Sequence, residues 1–254
     1  MEEKYYGVPT QPQGIFQTIK TGFSIWKYTF SQTVVLSVIN AIMSWLLLYY
    51  IVYIKQERVL PWYFKVLGAI ISLTISISMV YRIDKYIHNE YVSFNRAVVI
   101  GCRKVLPMLL GIALYFFVEK IGMHIISSMI LIVFLTFLPW LVIIDENSIV
   151  NAIRKSFTLV IGNCWHTVGA VIVITLMCCL VCFLLAFIDV GILFLSYQYG
   201  IHIDYFAWII VSSLLITLII SIMYPLICAC NIAILYNLKA RNKEKFSANS
   251  LALN

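Results

Sequence analysis

The stretch that decides the fold is Ile149-Val-Asn-Ala-Ile-Arg-Lys-Ser-Phe-Thr-Leu-Val-Ile-Gly162, which stands between two apolar runs of membrane length. Its small and apolar residues recur at helical spacing and make one face, with Arg154 and Lys155 off that face. The preceding Asp145-Glu-Asn-Ser148 offers acids and a capping side chain to the start of the helix, and Gly162-Asn163 predicts its end. The pattern predicts an amphipathic helix that lies on a membrane surface between two spans.

The composition of the whole chain is that of an integral membrane protein. The chain has 254 residues, of which 62% are hydrophobic and 11% charged, with a mean hydropathy of +0.95. Soluble domains carry roughly 25% charged residues, so this chain has too few charges to cover a soluble surface. The net charge of +7 does not indicate nucleic-acid binding, because the basic residues cluster at the ends of apolar runs.

Six apolar runs predict an all-α protein with six transmembrane helices arranged as three hairpins. The runs cover about 33–54, 62–81, 105–118, 124–144, 167–187 and 206–235. The third is short for a bilayer that needs about 20 residues, and the sixth is long, with Pro225 expected to kink it. A poorly ordered tail (1–13) is expected before the membrane domain (14–238), an outer loop at 189–204, and a basic tail at 239–254.

Lysine and arginine set the expected orientation. Of the 18 basic residues, 14 fall on one side of the six-span arrangement and 4 on the other. Because basic loops stay in the cytoplasm, both termini are predicted to be cytoplasmic.

An internal repeat links the three hairpins. The pattern apolar-x-x-small-apolar-x-x-small occurs at Ile15–Gly22, Phe94–Gly101 and Ile149–Ser156, each time ahead of a pair of spans. Helix periodicity alone can produce this spacing in unrelated connectors. The favoured interpretation is three copies of one unit, a cytoplasmic interfacial amphipathic helix followed by a hairpin, in which the small residues pack closely on the spans. The units cover about 14–85, 86–147 and 148–238.

Two sets of short motifs carry a resemblance to a known family. The first set is Leu138-Pro139, Asp145, Ala152-Ile-Arg-Lys-Ser156 and Gly162-Asn-x-Trp165, and the second is Tyr224-Pro225 and Leu235-Tyr-Asn-Leu238. Together they resemble the YciC-like six-span bacterial inner-membrane proteins, which are similar to the membrane domain of some glycerophosphodiester phosphodiesterases. The family acid is often Glu, where this chain has Asp145. The resemblance implies an inner-membrane protein with no settled activity or catalytic residues, and no phosphodiesterase activity is carried over.

Basic residues beside the membrane are the candidate lipid-headgroup contacts. Each can contribute about 1 kcal/mol of attraction to anionic lipid. An equally good interpretation is that they only set the topology. The candidates are Arg154, Lys155, Lys239, Arg241, Lys243 and Lys245.

Other polar residues near the apolar runs give weaker candidates. Asp189 is the best candidate for lining a polar cavity, whereas Glu119-Lys120 is more simply a hairpin turn.

The run Cys178-Cys-x-x-Cys182 has helical spacing, but no further ligand lies nearby, so packing is favoured over metal binding. No metal, cofactor or disulfide framework is predicted. The histidines are expected at span ends or in loops: His88, His124, His166 and His202.

Three functions from different classes remain open. The leading hypothesis is a non-enzymatic inner-membrane protein that organises membrane lipid or a protein partner of the membrane or envelope. The alternative is a small-molecule or lipid transporter with a cavity between the hairpins. An intramembrane enzyme comes third, because no nucleophile and base stand at a recognisable spacing. A polar cavity reaching mid-membrane would favour transport, and a solid apolar core would favour the first hypothesis.

Overall fold

The computed structural model describes Pro9 and residues 11–49, 62–121, 137–145, 148–199 and 205–252, and within them the secondary structure is entirely helical. The all-α class predicted from the sequence is therefore confirmed for the described residues. Their helices are α1 (Ile15–Tyr49), α2 (Trp62–Ile87), α3 (Phe94–Ile121), α4 (Leu138–Ile144), α5 (Ile149–Val160), α6 (Cys164–Gln198) and α7 (Tyr205–Ala252).

Three of these helices are long and apolar enough to cross a membrane, which indicates a membrane protein. The crossing segments are Val66–Ile87, Cys164–Ile192 and Val211–Glu244, of 22, 29 and 34 residues. They coincide with the second, fifth and sixth predicted spans. The described parts of α1 and α3 contain no segment that meets the same standard, and most of the fourth predicted span, 122–136, lies outside the described residues.

Helix boundaries correct the prediction of a separate interfacial helix at each repeat. The repeat segment Ile15–Gly22 belongs to α1, a single helix of 35 residues, and Phe94–Gly101 belongs to α3, a single helix of 28. Neither segment is followed directly by a Gly or Pro that would end a helix. The third repeat does form a short helix of its own, α5, which ends before Gly162 as predicted. Gly162 has φ 78°, a conformation that glycine adopts without strain.

Two regions predicted to lie outside the spans, the outer loop and the basic tail, are also helical. Helix α6 continues to Gln198 and so includes most of the predicted outer loop, while α7 includes the basic tail as far as Ala252. The tail is rich in Ala, Lys and Asn and has no Gly or Pro, so nothing local ends the helix. Its 48 residues make α7 about 72 Å long, against about 30 Å of bilayer hydrocarbon, so α7 extends well beyond a membrane.

Two apolar clusters form the core, and α7 contributes to both. The first cluster joins α7 to α1, α2 and α3, with Ile77 and Ile83 fully buried beside Ala229 and Ala233. The second joins α7 to α4, α5 and α6 around Phe137. The pair α1–α7 makes the most extensive contact of any two described helices. Helix α7 is therefore the element around which the others pack.

The small residues of the repeats lie at close helix contacts, as the repeat pattern predicted. A Cβ atom added at Gly22 would lie 2.7 Å from the Cα of Cys230 on α7. One added at Gly101 would lie 2.6 Å from the carbonyl oxygen of Thr74 on α2. Neither contact leaves room for a methyl group. The remaining four small positions are fully buried: Thr18, Ala97, Ala152 and Ser156.

Candidate functional site

Hydrogen bonds and ion pairs gather where residues 236–242 of α7 meet the ends of the other helices. We call this part of the bundle the basic end; it comprises residues 13–28, 81–104, 145–167 and 236–244. Several of its polar side chains are paired across helices and hold the helices together, whereas others face outward.

Asn237 is the most highly connected of these groups. The side chain is fully buried, and its Oδ1 accepts a hydrogen bond from the backbone N–H of Gln13 at 2.8 Å. Its Nδ2 lies 2.8 Å from both Thr18 Oγ1 and His166 Nε2, and 3.2 Å from the carbonyl oxygen of Gln13. An amide nitrogen only donates, so His166 Nε2 accepts and we assign the ring proton to Nδ1. One side chain thus joins α7 to α1, to α6 and to the segment before α1.

Arg241 and Asn242 continue this connection along α7. Arg241 Nη2 also donates to the carbonyl oxygen of Gln13. Asn242 accepts a hydrogen bond from Asn163 Nδ2 at 2.8 Å and donates to the carbonyl oxygen of Thr158 at 3.1 Å. Gln13, the last residue of the predicted tail, is therefore fixed by two residues of α7, while residues 1–8 and 10 of that tail lie outside the described residues.

The last turn of α2 is joined to α7 and α1 by buried polar groups. Asp84 is 5% exposed, and its Oδ1 accepts a hydrogen bond from the hydroxyl of Tyr236 at 2.6 Å. The ring of His88 approaches the same aspartate, with Nδ1 2.7 Å from the Asp84 carbonyl oxygen. Arg82 donates to Gln32 Oε1 at 2.6 Å. These contacts satisfy charges that would otherwise be costly to bury.

Asp145 forms ion pairs with lysines from two other helices. Lys155 of α5 contacts Oδ2, and Lys239 of α7 lies 2.7 Å from Oδ1. Burial alone would raise the pKa of Asp145, but the hydrogen bonds from Lys155 and Lys239 outweigh it and hold the pKa below its ordinary value. Of the acids and capping side chain expected at the start of α5, Ser148 does occupy the N-cap position but makes no side-chain hydrogen bond there, and Asp145 binds the two lysines.

Replacing Asp145 with asparagine is expected to lower the free energy of unfolding by about 2 kcal/mol, because two partly buried lysines lose their counterion. The lowered pKa means that the contribution of Asp145 is complete above about pH 4 and is lost as the pH falls further. Amide hydrogen exchange in α5 measures the effect. In the wild-type protein the protection factors of α5, which compare exchange with that of the unfolded chain at the same pH, should fall below about pH 4, and in D145N they should be low at all pH values.

The control for this experiment is Glu90→Gln. Glu90 also pairs with a lysine, Lys85, at 2.9 Å, but its side chain is 58% exposed. An exposed pair contributes little to stability, so E90Q is expected to exchange as the wild-type protein does. Equal effects of D145N and E90Q would contradict the role given to Asp145.

The structure divides five of the six predicted headgroup contacts into two groups. Lys155, Lys239 and Arg241 make the contacts just described, so they hold the bundle together. Arg154 and Lys243 are exposed. Lys245 lies on α7, beyond the described side chains.

Asp189, the predicted cavity residue, lies within α6 and not in a loop, and its side chain is also outside the described set.

The outward face of α5 mixes apolar and basic residues. Val150 is 75% exposed and Ile161 61%, with exposed Arg154 between them. Trp165, at the start of α6, is 88% exposed. Large apolar side chains next to a cation are typical of helices at a membrane interface, where the apolar groups enter the acyl region and the cation meets the headgroups.

The start of α1 has an outward face of the same kind. Phe16 is 81% exposed, and Lys20 follows it one turn later on the same face. Beside them lies an open depression of about 550 Å³, which is also lined by Gln17, Thr21 and Ser24. A cation with amide and hydroxyl groups around it suits a phosphate group. The sequence analysis did not single out Lys20, although it occupies the same repeat position as Arg154.

The cysteine and histidine candidates do not form a metal site in the described part of the chain. Cys179 and Cys182 are exposed and Cys178 is half-buried. The described residues contain no group of three His, Cys, Asp or Glu side chains arranged to hold a metal ion. His88 and His166 belong to the contacts of the basic end, while His124 and His202 lie outside the described residues.

Three residues of this network were missed by the sequence analysis: Asp84, Tyr236 and Asn237. A signal for Asp84 was present, because an acid directly after an apolar run needs a partner. The spacing of Tyr236 and Asn237 to the basic residues Lys239 and Arg241 was a second signal, since positions three and four apart share a helix face.

These observations define an all-helical membrane protein whose helices are joined by polar contacts at one end. Comparisons with protein-family models, with curated proteins and with solved structures gave no match.

Proposed function

We propose that this protein is a non-enzymatic, six-span protein of the bacterial inner membrane that organises lipid by binding anionic headgroups at its basic end, on the cytoplasmic side. The observation that carries the proposal is the pair of outward faces on α1 and α5, where Lys20 and Arg154 each lie beside exposed apolar side chains. A membrane or envelope protein that needs a defined lipid environment is a partner of the kind this function implies.

The charges at the basic end support headgroup binding. Among the described residues there, exposed basic side chains outnumber exposed acidic ones, and the buried Asp84 and half-buried Asp145 are already paired within the protein. The outward surface is therefore cationic, which matches an anionic leaflet. The exposed basic residues are Lys20, Lys27, Arg96, Arg103, Arg154 and Lys243; the exposed acids are Glu90 and Glu244.

The packing of the described core gives more support to a lipid-organising role than to transport. Buried hydroxyl groups within the helices donate to carbonyl oxygens of their own helix, as Thr29 does to Ile25 at 2.9 Å and Ser221 does to Thr217 at 2.8 Å. Such groups need no water, and the two clusters around them are apolar. Both features suit a solid core.

The family resemblance and the positive-inside bias supply the remaining parts of the proposal. The motifs around Asp145 and Trp165 resemble those of YciC-like inner-membrane proteins, which implies six spans in three hairpins. The excess of basic residues near 82–104 and 239–245 favours cytoplasmic termini. In this arrangement α5 lies along the cytoplasmic surface, and the first turns of α1 and α3 leave the bilayer on the same side.

The test is a double variant, Lys20→Gln with Arg154→Gln, assayed by native mass spectrometry of protein released from vesicles of phosphatidylethanolamine and phosphatidylglycerol. Each lost charge removes about 1 kcal/mol of attraction, so the preference for phosphatidylglycerol should fall roughly tenfold to thirtyfold. Neither residue holds the bundle together by an ion pair, unlike Lys155, so the fold is expected to be retained.

The matched control is Lys20→Arg with Arg154→Lys, which keeps both charges. It should retain phosphatidylglycerol as the wild-type protein does, because attraction to a leaflet depends mainly on charge. Unchanged lipid preference in the glutamine variant would refute headgroup binding by this surface.

A further inference from the structure

Helices α6 and α7 pack closely near the basic end and leave a groove between them farther along. Ala170 and Ile174 of α6 are buried in the same cluster as Leu226 and Cys230 of α7. Beyond that contact lies a groove of about 390 Å³ between residues 182–192 of α6 and 208–216 of α7. The two helices contribute similar numbers of side chains to its walls, which shows that the groove follows the line along which they meet.

The groove lies on the parts of both helices that cross the membrane. The crossing segments Cys164–Ile192 and Val211–Glu244 contain most of its lining residues. From Cys164 to Cys182 is 18 residues, or about 27 Å of helix. The groove is therefore in the half of the crossing segments that is remote from the basic end.

The lining is almost entirely hydrocarbon. Leu185, Ala186, Val211 and Leu215 are typical members, and Trp208 stands near the outer end, where α7 enters the crossing region. Water is unfavourable in such a space because too few polar partners surround it, and an empty groove would lose dispersion contacts along both walls. At this depth the apolar molecule that is always present is a phospholipid.

We propose that this groove binds one acyl chain of a phospholipid from the leaflet opposite the basic end. The shape favours a single chain over a second copy of the protein, because ten of the described residues line the groove, whereas a stable protein interface uses about 20–30 residues a side. The indole of Trp208 lies where the chain joins the glycerol and headgroup, a position that tryptophan prefers in membranes.

The test fills the groove by Leu215→Trp and uses Leu214→Trp as the matched control. Leu215 lines the groove, while its neighbour Leu214 is exposed elsewhere on the same helix and does not line it. The full-length protein is released from vesicles of phosphatidylethanolamine and phosphatidylglycerol, and the phospholipids bound to each chain are counted by native mass spectrometry. The wild-type protein and L214W should each retain one phospholipid more than L215W, whose occupancy should fall at least fivefold.

A smaller change on the opposite wall, Ala186→Leu, keeps the test decisive if L215W does not fold. It should lose the same lipid, whichever headgroup that lipid carries. Equal lipid retention by A186L and the wild-type protein would overturn the proposal. A wild-type dimer that becomes a monomer in A186L or L215W would also overturn it, because the groove would then bind a second copy of the chain. The Lys20→Gln, Arg154→Gln variant should keep this lipid, so the groove and the headgroup surface succeed or fail separately.

Discussion

Asn237→Ala should lower the free energy of unfolding by about 3 kcal/mol. Truncation leaves the buried N–H of Gln13 without its acceptor and removes the donor that faces Thr18 and His166, and each unpaired buried group costs about 1–3 kcal/mol. The free energy is measured by reversible unfolding in mixed micelles titrated with SDS. The loss is expected to be local as well as global, because the same side chain fixes the segment before α1.

Amide hydrogen exchange separates this effect from general destabilisation. In Asn237→Ala, exchange should rise first in the peptide that covers residues 11–21, before the midpoint of global unfolding is reached. The control is Asn151→Ala, the same change at an exposed position of α5, which should alter neither quantity measurably. If both variants behave alike, Asn237 does not hold the N-terminal segment against α7.

Gly22→Ala should destabilise the protein by about 2–3 kcal/mol, and Gly101→Ala by a similar amount. The added methyl group meets backbone atoms, the Cα of Cys230 in one case and the carbonyl oxygen of Thr74 in the other. Backbone atoms of a helix cannot move away by a rotamer change as a side chain can. The two helices must therefore separate and lose packing along their length. The SDS titration reports the loss in free energy, and near-ultraviolet circular dichroism reports the loss of packing.

Gly191→Ala is the matched control for both glycine variants. It places the same methyl group in another apolar helix, α6, at a position where nothing lies within 4 Å of the new Cβ atom. Alanine is the better helix former, so G191A should be as stable as the wild-type protein or slightly more so. Full stability of G22A and G101A would show that the close approaches are not required for the fold.

The features that the sequence could predict are those set by local composition and periodicity. The apolar runs near 62–81, 167–187 and 206–235 predicted crossing segments that the structure contains, because a bilayer demands only length and hydrophobicity. The repeat predicted which small residues face a neighbouring helix. Gly162 predicted the end of α5, because a helix cannot continue through its conformation without strain.

The features that could not be predicted depend on contacts between distant parts of the chain. Helix α1 runs through the expected boundary near Phe23, since no local residue ends it and packing on α7 supports it. In the sequence, Lys239 and Arg241 belong to a basic tail. Lys239 nevertheless pairs with Asp145, 94 positions away, and Arg241 bonds to Gln13, 228 positions away. Periodicity carries no information on such pairs, so the candidate site was predicted only in its exposed half.

The central position of α7 has a consequence for the way the protein is made. Of the described helices it is the last to leave the ribosome, and 224 positions separate Gln13 from Asn237. The contacts of Gly22, Asp84 and Asp145 with α7 all have to wait for its synthesis. The earlier helices therefore enter the bilayer as an incomplete bundle, with acids that lack their lysine and tyrosine partners. Ribosomes that stop before α7 release chains which the membrane's quality-control proteases should recognise and degrade.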